Sequence, residues 1–317
     1  MYSLGIDFGT LSVRAVLVDT HNGHVLGEVV HNYQNGVISE HLPQSNIVLA
    51  PDWALQDPTD YLLGIETTVP TVIAKTGVNP SNILGIGVAF TASTMIATTA
   101  DGTPLCLLDT YQDEPHAWVK LWKHHGAQPQ AERIEALAHA HHAPWLAAYG
   151  GNVSSEFFLS KALQLCDEAP HIYKAADRLI EAGDWVVWQL TGQEVRSEAI
   201  AGYKAFYQSG DFPSSSFLRE LNPALGQLVE SKLGNSYLPL GSKAGELSPQ
   251  MAQTLGLRVG TPVAVANIDA HVTAPAVQAI DPGTMVLVMG TSTCHIISSD
   301  ISADIDGIFG RVRDGII

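Results

Sequence analysis

Residues 2–19 read YSLGIDFGTLSVRAVLVD, and this stretch decides the fold class. An apolar run covers residues 2–7, a short turn follows Asp7, and a second apolar run covers residues 12–19. A third run, over residues 24–31, comes after an Asn-Gly pair, which tolerates the positive φ of a hairpin turn. The chain therefore begins with a predicted antiparallel β-meander whose first turn follows a carboxylate.

The turn after Asp7 has two interpretations, a phosphate site or an ordinary β-turn. Gly9 lets the backbone approach a ligand and can point its N–H at a phosphate oxygen, and Thr10 adds a hydroxyl. Asp7 repels phosphate directly, but it can hold Mg²⁺ through water, and the ion then bridges to the phosphates. Asp and Gly are also common in ordinary β-turns, which favours the second interpretation. The Gly-Lys-Ser/Thr motif of a P-loop is missing.

A second strand–turn–strand pattern lies at VLVMGTSTCHI, with Gly290, Thr291 and Ser292 in its turn. Either the likeness arises by chance, or the architecture is duplicated with one phosphate-binding turn in each half. The sequence continues only to Ile317, one hairpin into such a second half, and a lone hairpin is not independently stable. We therefore expect the natural chain to be longer.

The remaining sequence alternates strand and helix patterns, which is typical of an α/β protein. A buried strand ends at Phe90, and Thr91, Ala92 and Ser93 form a polar break after it. The other predicted elements are helices over residues 57–76, 115–142 and 155–180, a helix ending at Gly192, a loop-rich region over 208–245 and a strand to Ile268.

Two further residues are candidates for chemistry. Asp269 ends the apolar stretch VAVANID before a small-residue helix, so it is either a helix N-cap or a general base. Lys204 stands between aromatic residues in AGYKAFY, where it can orient a ligand hydroxyl or extend to solvent.

Composition excludes several classes of protein. The 317 residues are 46% hydrophobic and 15% charged, which predicts a globular chain of about two domains. A net charge of −16 repels phosphate backbones and anionic lipid, so we expect no nucleic-acid or membrane partner. Three separated cysteines and the lack of a signal-peptide pattern or long apolar stretch predict a cytoplasmic protein.

Taken in order, four motifs make the sequence resemble the FGGY carbohydrate kinases along its whole length. They are GIDFGTLSVRAVLVD, ADRLIEAGDWVVWQLTG, NIDAHVTA and VLVMGTSTCHI. The resemblance implies a ribonuclease H-like, actin-like ATPase fold, with a mixed sheet flanked by helices. It also implies an N-terminal lobe over residues 1–256 and an incomplete C-terminal lobe over residues 257–317.

Within the family, the stretch PHAWVKLWKHH is most similar to ribulokinases. Many other members carry Ser-Gly-Gln-x-His-Gly where this chain has Phe90–Met95, and Trp-x-Asp-x-Arg where it has Trp122–Gly126. His124 replaces the aspartate of the second motif, so that sugar contact is not carried over.

The resemblance implies ATP-dependent phosphorylation of L-ribulose to L-ribulose 5-phosphate, as in L-arabinose catabolism, with ATP and Mg²⁺. Asp269 is implied as the general base, with Mg²⁺ held through water by Asp7. The implied phosphate-binding residues are Asp7, Gly9, Thr10, Gly290, Thr291 and Ser292, and the sugar-binding residues are Thr91, Ala92, Ser93, Lys204 and Asp269.

Two alternatives stay open, a kinase of another ketose such as xylulose and a non-enzymatic actin-like protein that binds sugar or nucleotide. Asp269 together with Lys204 argues against the second, because such a protein needs no base beside a sugar pocket. The family's adenosine-binding motifs are missing from these residues, so we expect little or no activity from them alone. We expect that the protein can form a homodimer.

Overall fold

The structure is a computed structural model that describes residues 1–43, 45–289, 293–301, 303–308, 310 and 312. The strands are β1 (Tyr2–Phe8), β2 (Ser12–Asp19), β3 (Val25–Asn32), β4 (Leu55–Gln56), β5 (Ile83–Phe90), β6 (Met95–Thr98), β7 (Val119–Lys120), β8 (Arg178–Glu181), β9 (Arg196–Ser197), β10 (Tyr237–Leu238), β11 (Lys243–Glu246), β12 (Pro262–Ala264), β13 (Asn267–Ile268), β14 (Met285–Met289) and β15 (Thr293–Ile297). The α-helices are α1 (Pro58–Thr76), α2 (Gln128–Ala140), α3 (Phe158–Glu168), α4 (Pro170–Ala175), α5 (Ala182–Thr191), α6 (Glu198–Lys204), α7 (Ser215–Leu221), α8 (Leu228–Lys232), α9 (Pro249–Leu255) and α10 (Thr273–Ala276).

The main sheet is mixed and has the strand order β11-β12-β5-β1-β2-β3, with β13 also paired to β5. The predicted meander is confirmed, since β1, β2 and β3 pair antiparallel in sequence and Gly23 has the positive φ of 73° that its hairpin turn needs. The predicted helix at 57–76 is also confirmed as α1, capped by Asp57. A Cβ at Gly64 would lie 2.1 Å from Val13, so glycine lets α1 pack directly on the sheet.

A smaller sheet, β4-β7-β6-β8, lies beyond the polar break after Phe90. The predicted helices at 115–142 and 155–180 are partly wrong there, because residues 119–120 and 178–181 are strands of this sheet. Strand pairing decides both segments, since β7 pairs with β4 and β6 and β8 pairs with β6. The sequence shows only apolar runs that are too short to distinguish a strand from a helix. The loop-rich prediction for 208–245 misses α7 and α8.

Each sheet has its own hydrophobic core. One cluster lies around the main sheet and α1, where Phe8 stacks on Phe90 with ring centroids 4.9 Å apart. A second cluster fills the region between the smaller sheet and α2, α3 and α7. The strands β12 and β13, beyond residue 256, complete the main sheet, and the predicted lobe boundary stays a prediction. Among the described residues, none of the helices combines the length and apolar character needed to cross a membrane.

Candidate active site

Two carboxylates flank the C-terminal end of β5. Both β1 and β13 run parallel to β5, so that Asp7 pairs opposite Ala89 and Ile268 pairs opposite Phe90. The backbone N–H of Asp269 donates to the carbonyl oxygen of Phe90 at 3.0 Å. Neighbouring strands of a sheet lie about 4.8 Å apart, so the backbones at Asp7 and Asp269 are separated by roughly 10 Å across the sheet. The end of β5 lies between them. Ligands of open α/β sheets bind at such a carboxyl edge.

Asp269 is half-buried in the turn between β13 and α10. Its Oδ1 accepts a hydrogen bond from the N–H of Ala270 at 2.7 Å. The N-cap interpretation is wrong, because α10 begins at Thr273 and its N-cap position is Val272. Burial raises the pKa of Asp269, and the negative charge of Asp7 raises it further, while the Ala270 N–H and Lys204 oppose the rise. A carboxyl with a raised pKa is a better proton acceptor than an ordinary aspartate.

The turn after Asp7 has both used and free donors. The N–H of Gly9 donates to the carbonyl of Ser12 at 2.9 Å, so this donor serves the turn itself. The backbone N–H groups of Thr10 and Leu11 make no hydrogen bond within the described part of the chain. Asp7 is exposed to solvent near the end of β1, but the surrounding protein partly shields its carboxyl group from water. This partial burial raises the pKa of Asp7, and the positive charge of Arg14 opposes the rise.

Thr10 is held by two side chains from elsewhere in the chain. The indole Nε1–H of Trp122 donates to its Oγ1 at 3.0 Å, and Nε2 of Gln56 donates to its carbonyl oxygen at 2.8 Å. Because the indole bond uses a lone pair of the hydroxyl, the hydroxyl proton of Thr10 remains free to be donated to an anion.

The second predicted phosphate turn, Gly290, Thr291 and Ser292, lies outside the described residues. Its flanking strands form the expected antiparallel hairpin, with Met289 paired to Thr293. In β15, burial raises the pKa of the Cys294 thiol, and the nearby positive charge of Lys204 opposes the rise. The hairpin therefore lies beside the residues around Lys204.

The break after Phe90 is a tightly held turn. Ser93 adopts a left-handed φ of 69°, which is strained for a residue other than glycine. Its Oγ donates to the carbonyl of Glu156 at 2.7 Å, and its own carbonyl accepts from Nζ of Lys161 at 2.5 Å. The hydroxyls of Thr91 and Thr94 bond to each other at 2.9 Å. The structure thus shows that the hydroxyls of this turn already have protein partners.

Lys204 ends α6 and faces inward. Its Nζ lies 2.8 Å from Oε2 of Glu156, and 12% of its side chain is exposed, so the alternative of extension to solvent is wrong. Burial lowers the pKa of Lys204, but Tyr203 and Glu156 outweigh it and raise the pKa above the usual value. The ring of Tyr203, beside Lys204, packs against His271 with ring centroids 4.8 Å apart, so α6 and the turn after β13 are in contact. Lys204 accordingly opposes the rise in the pKa of Asp269.

Sequence reasoning missed two charged residues of this site, Glu156 and Lys161. Lys161 is fully buried in α3, and its Nζ also donates to the carbonyl of Leu121 at 2.8 Å. The sequence signal for Lys161 was its position within the apolar stretch FFLSKALQLC, because a lysine surrounded by buried residues cannot easily reach solvent. His124 is fully buried as well, and its Nε2 lies 3.0 Å from Oε1 of Gln164, so it is part of the protein interior.

Comparisons with known proteins agree on one family. The description "FGGY family of carbohydrate kinases, N-terminal domain" matches residues 2–275. A ribulokinase of Mycolicibacterium smegmatis is 49% identical over 99% of this chain, and one of Halalkalibacterium halodurans is 45% identical over 100% of it. The chain spans 56% of the length of each of these relatives.

Solved structures show the same fold at low identity. A xylulose kinase from Rhodospirillum rubrum has a TM-score of 0.79 at 19% identity, over 96% of this chain and 56% of that one. A glycerol kinase from Plasmodium falciparum, solved with ADP, has a TM-score of 0.71 at 14% identity, over 93% of this chain and 54% of that one. The predicted ribonuclease H-like, actin-like fold is confirmed. With a family match over most of its length, the chain belongs to the FGGY family of carbohydrate kinases.

Proposed function

We propose that the protein carrying this sequence phosphorylates L-ribulose with ATP, giving L-ribulose 5-phosphate and ADP. The observation that carries the proposal is that α6 places the inward-facing Lys204 near Asp269 at the carboxyl edge of the main sheet. The ring of Tyr203, the residue before Lys204, packs against His271, two residues after Asp269, with ring centroids 4.8 Å apart. The identity of 45–49% to two ribulokinases across the whole chain supports L-ribulose over other sugars. We keep the prediction that the protein works in the cytoplasm as part of L-arabinose catabolism, and that it can form a homodimer.

In the proposed reaction, the terminal hydroxyl of the sugar attacks the γ-phosphorus of ATP. The new bond joins the sugar oxygen to phosphorus, the bond between γ-phosphorus and the bridging oxygen breaks, and ADP leaves with that oxygen. Asp269 accepts the hydroxyl proton as the bond forms. Its raised pKa suits this step, because the carboxylate binds the proton more readily than that of an ordinary aspartate.

In this proposal the phosphates bind at the turn after Asp7, and the sugar binds nearer to Asp269 and Lys204. The unpartnered N–H groups of Thr10 and Leu11 and the hydroxyl of Thr10 are donors for phosphate oxygens. The exposed carboxylate of Asp7 fits a hydrated Mg²⁺, which when bound neutralises phosphate charge. Gly9 provides the close approach of the turn, and Gly290, Thr291 and Ser292 are proposed to hold phosphate from the other lobe.

The sugar pocket of the proposal lies around the break after β5. Ala92 provides space, Thr91 and Ser93 shape the turn, and the Lys204 ammonium donates to sugar hydroxyls. Lys204 has three donors, and among the described residues Glu156 accepts from one of them, which leaves two donors for a ligand.

A substrate panel tests the proposal. The natural protein that contains these residues, produced at its full length, is assayed for ATP-dependent ADP release with L-ribulose, D-ribulose, D-xylulose, L-xylulose and glycerol. The product is identified by phosphorus NMR. We expect L-ribulose to have the highest kcat/KM and the phosphate to be on the terminal carbon. A higher kcat/KM for xylulose would establish the other-ketose alternative, and no turnover with any sugar would favour the non-enzymatic one.

A further inference from the structure

Glu156 joins three separate parts of the site. Its Oε2 lies 2.8 Å from Nζ of Lys204, and its Oε1 lies 3.1 Å from Nε2 of His125. Its backbone is fixed on both sides, since the N–H donates to Oγ of Ser154 at 3.1 Å and the carbonyl accepts from Oγ of Ser93 at 2.7 Å. The carboxylate therefore has a defined position relative to the turn after β5 and to α6.

The Lys204 ammonium has competing partners nearby. Asp269 and Glu181 both act on it through space, and Lys161 repels it. Among the described residues, Lys204 forms an ion pair with Glu156 alone. The carboxylate of Asp269 lies beyond ion-pair distance of the Lys204 ammonium. Without the Glu156 charge, the ammonium would be drawn to the remaining carboxylates. A contact with Asp269 would stabilise the ionised form of that carboxylate and weaken it as a proton acceptor.

We propose that Glu156 is a positioning residue that holds the Lys204 ammonium in the sugar pocket and keeps it apart from the Asp269 carboxylate. This inference rests on the proposed function, because it assigns Lys204 to the sugar. Glu156 acts through Lys204 and needs no contact with the substrate. Its removal therefore affects sugar binding and phosphoryl transfer, whereas the nucleotide side of the site, at the turn after Asp7, stays unchanged.

The test is a double-mutant cycle between Glu156→Gln and Lys204→Met in the protein carrying this sequence. Glu156→Gln keeps the shape of the side chain and removes its charge. The sugar is the one that the wild type phosphorylates fastest, so the result does not depend on its being L-ribulose. KM for sugar, KM for ATP, kcat and the melting temperature are measured for each variant, with Glu66→Gln on the exposed face of α1 as control.

We expect Glu156→Gln to raise the sugar KM about five- to tenfold and to leave the ATP KM within about twofold. When Lys204 is already Met, the same change adds less than about twofold, because the two residues act as a unit. Glu156→Asp, which keeps the charge at shorter reach, restores part of the sugar affinity. It also carries the comparison if Glu156→Gln does not fold.

Three results overturn the inference. They are independent, multiplying effects of Glu156→Gln and Lys204→Met on the sugar KM, equal increases in the KM for sugar and for ATP, and a lower melting temperature with both KM values unchanged. Fastest turnover of a sugar other than L-ribulose would refute the proposed substrate, while the cycle with that sugar still decides the role of Glu156. A wild type that phosphorylates no sugar overturns both.

Discussion

The two sides of the site are positioned by different means. On the carboxylate side, Asp7 and Asp269 are placed by strand pairing, because β1 and β13 both run beside β5. On the ammonium side, Lys204 is placed by an ion pair with Glu156, a residue 48 positions earlier in the chain. Strand registers fix the first side, and side-chain contacts between distant segments fix the second.

Because of this difference, we expect the two sides to respond differently to amino-acid substitution. A substitution on the carboxylate side leaves the backbone geometry intact, since the sheet supplies it, and removes only the chemistry of the side chain. A substitution of Lys204 removes a charge that attracts Glu156 and Asp269. It also removes a charge that repels Lys161, so its effect spreads to all three residues. The two sides are therefore expected to respond separately in kinetics.

The strongest test of the comparison is Asp269→Asn. We expect kcat to fall by about 10²–10⁴-fold, because the proton acceptor is lost, with sugar binding and melting temperature nearly unchanged. Single-turnover kinetics with the protein carrying this sequence measure the loss, and Asp281→Asn, an exposed aspartate nearby in sequence, is the control. Wild-type turnover by Asp269→Asn would show that another group is the base.

Lys204→Met tests the ammonium side with a smaller effect. A charge-assisted hydrogen bond in a desolvated site is worth roughly 1.5–3 kcal/mol, so the sugar KM is expected to rise about tenfold or more. The ATP KM changes less, and Lys174→Met, an exposed lysine, serves as control. Equal losses for sugar and ATP would contradict the assignment of Lys204 to the sugar.

Ala92→Leu is the steric counterpart on the same side. Ala92 is 6% exposed, and the added bulk is expected to block the sugar while nucleotide binding stays nearly unchanged. A melting curve separates this outcome from overpacking, which typically costs about 1–3 kcal/mol of stability. Loss of stability without a difference between the two substrates would place Ala92 in the core only.

The pH dependence of kcat links the two carboxylates. The base acts when deprotonated, and its pKa is raised, so kcat is expected to fall on acidification at a pH above the ordinary value of about 3.9 for aspartate. Asp7→Asn removes a charge that raises this pKa, so the acidic limb should move to lower pH. A limb that stays in place, measured with saturating ATP and Mg²⁺, would mean that the two carboxylates do not interact in the complex.

The smallest expected effect concerns the support of the phosphate turn. Trp122→Phe removes the indole N–H that holds the Thr10 hydroxyl, and we expect the ATP KM to rise about threefold with the sugar KM unchanged. Trp118→Phe is a matched control, because its indole N–H donates to the carbonyl of Gln112 away from the turn. A larger effect on sugar than on ATP would place Trp122 on the ammonium side.

The sequence alone determined the meander, α1 and the strand to Phe90. These features follow from local patterns, such as the period of apolar residues and the turn at Gly23. The common edge of Asp7 and Asp269 depends instead on the pairing of distant segments with β5. The same reasoning failed at β7 and β8, whose short segments become strands because β7 pairs with β4 and β6 and β8 pairs with β6.

Only the tertiary structure decided the partners of the charged side chains. Lys204 was a candidate from the sequence, but its ion pair with Glu156 could not be predicted. The hydrogen bond from Lys161 to the carbonyl oxygen of Ser93 could not be predicted either. A buried charge takes whichever opposite charge or carbonyl the fold brings within about 3 Å, since leaving it unpaired is costly. That choice depends on how separate elements approach each other, and no local pattern of residues records it.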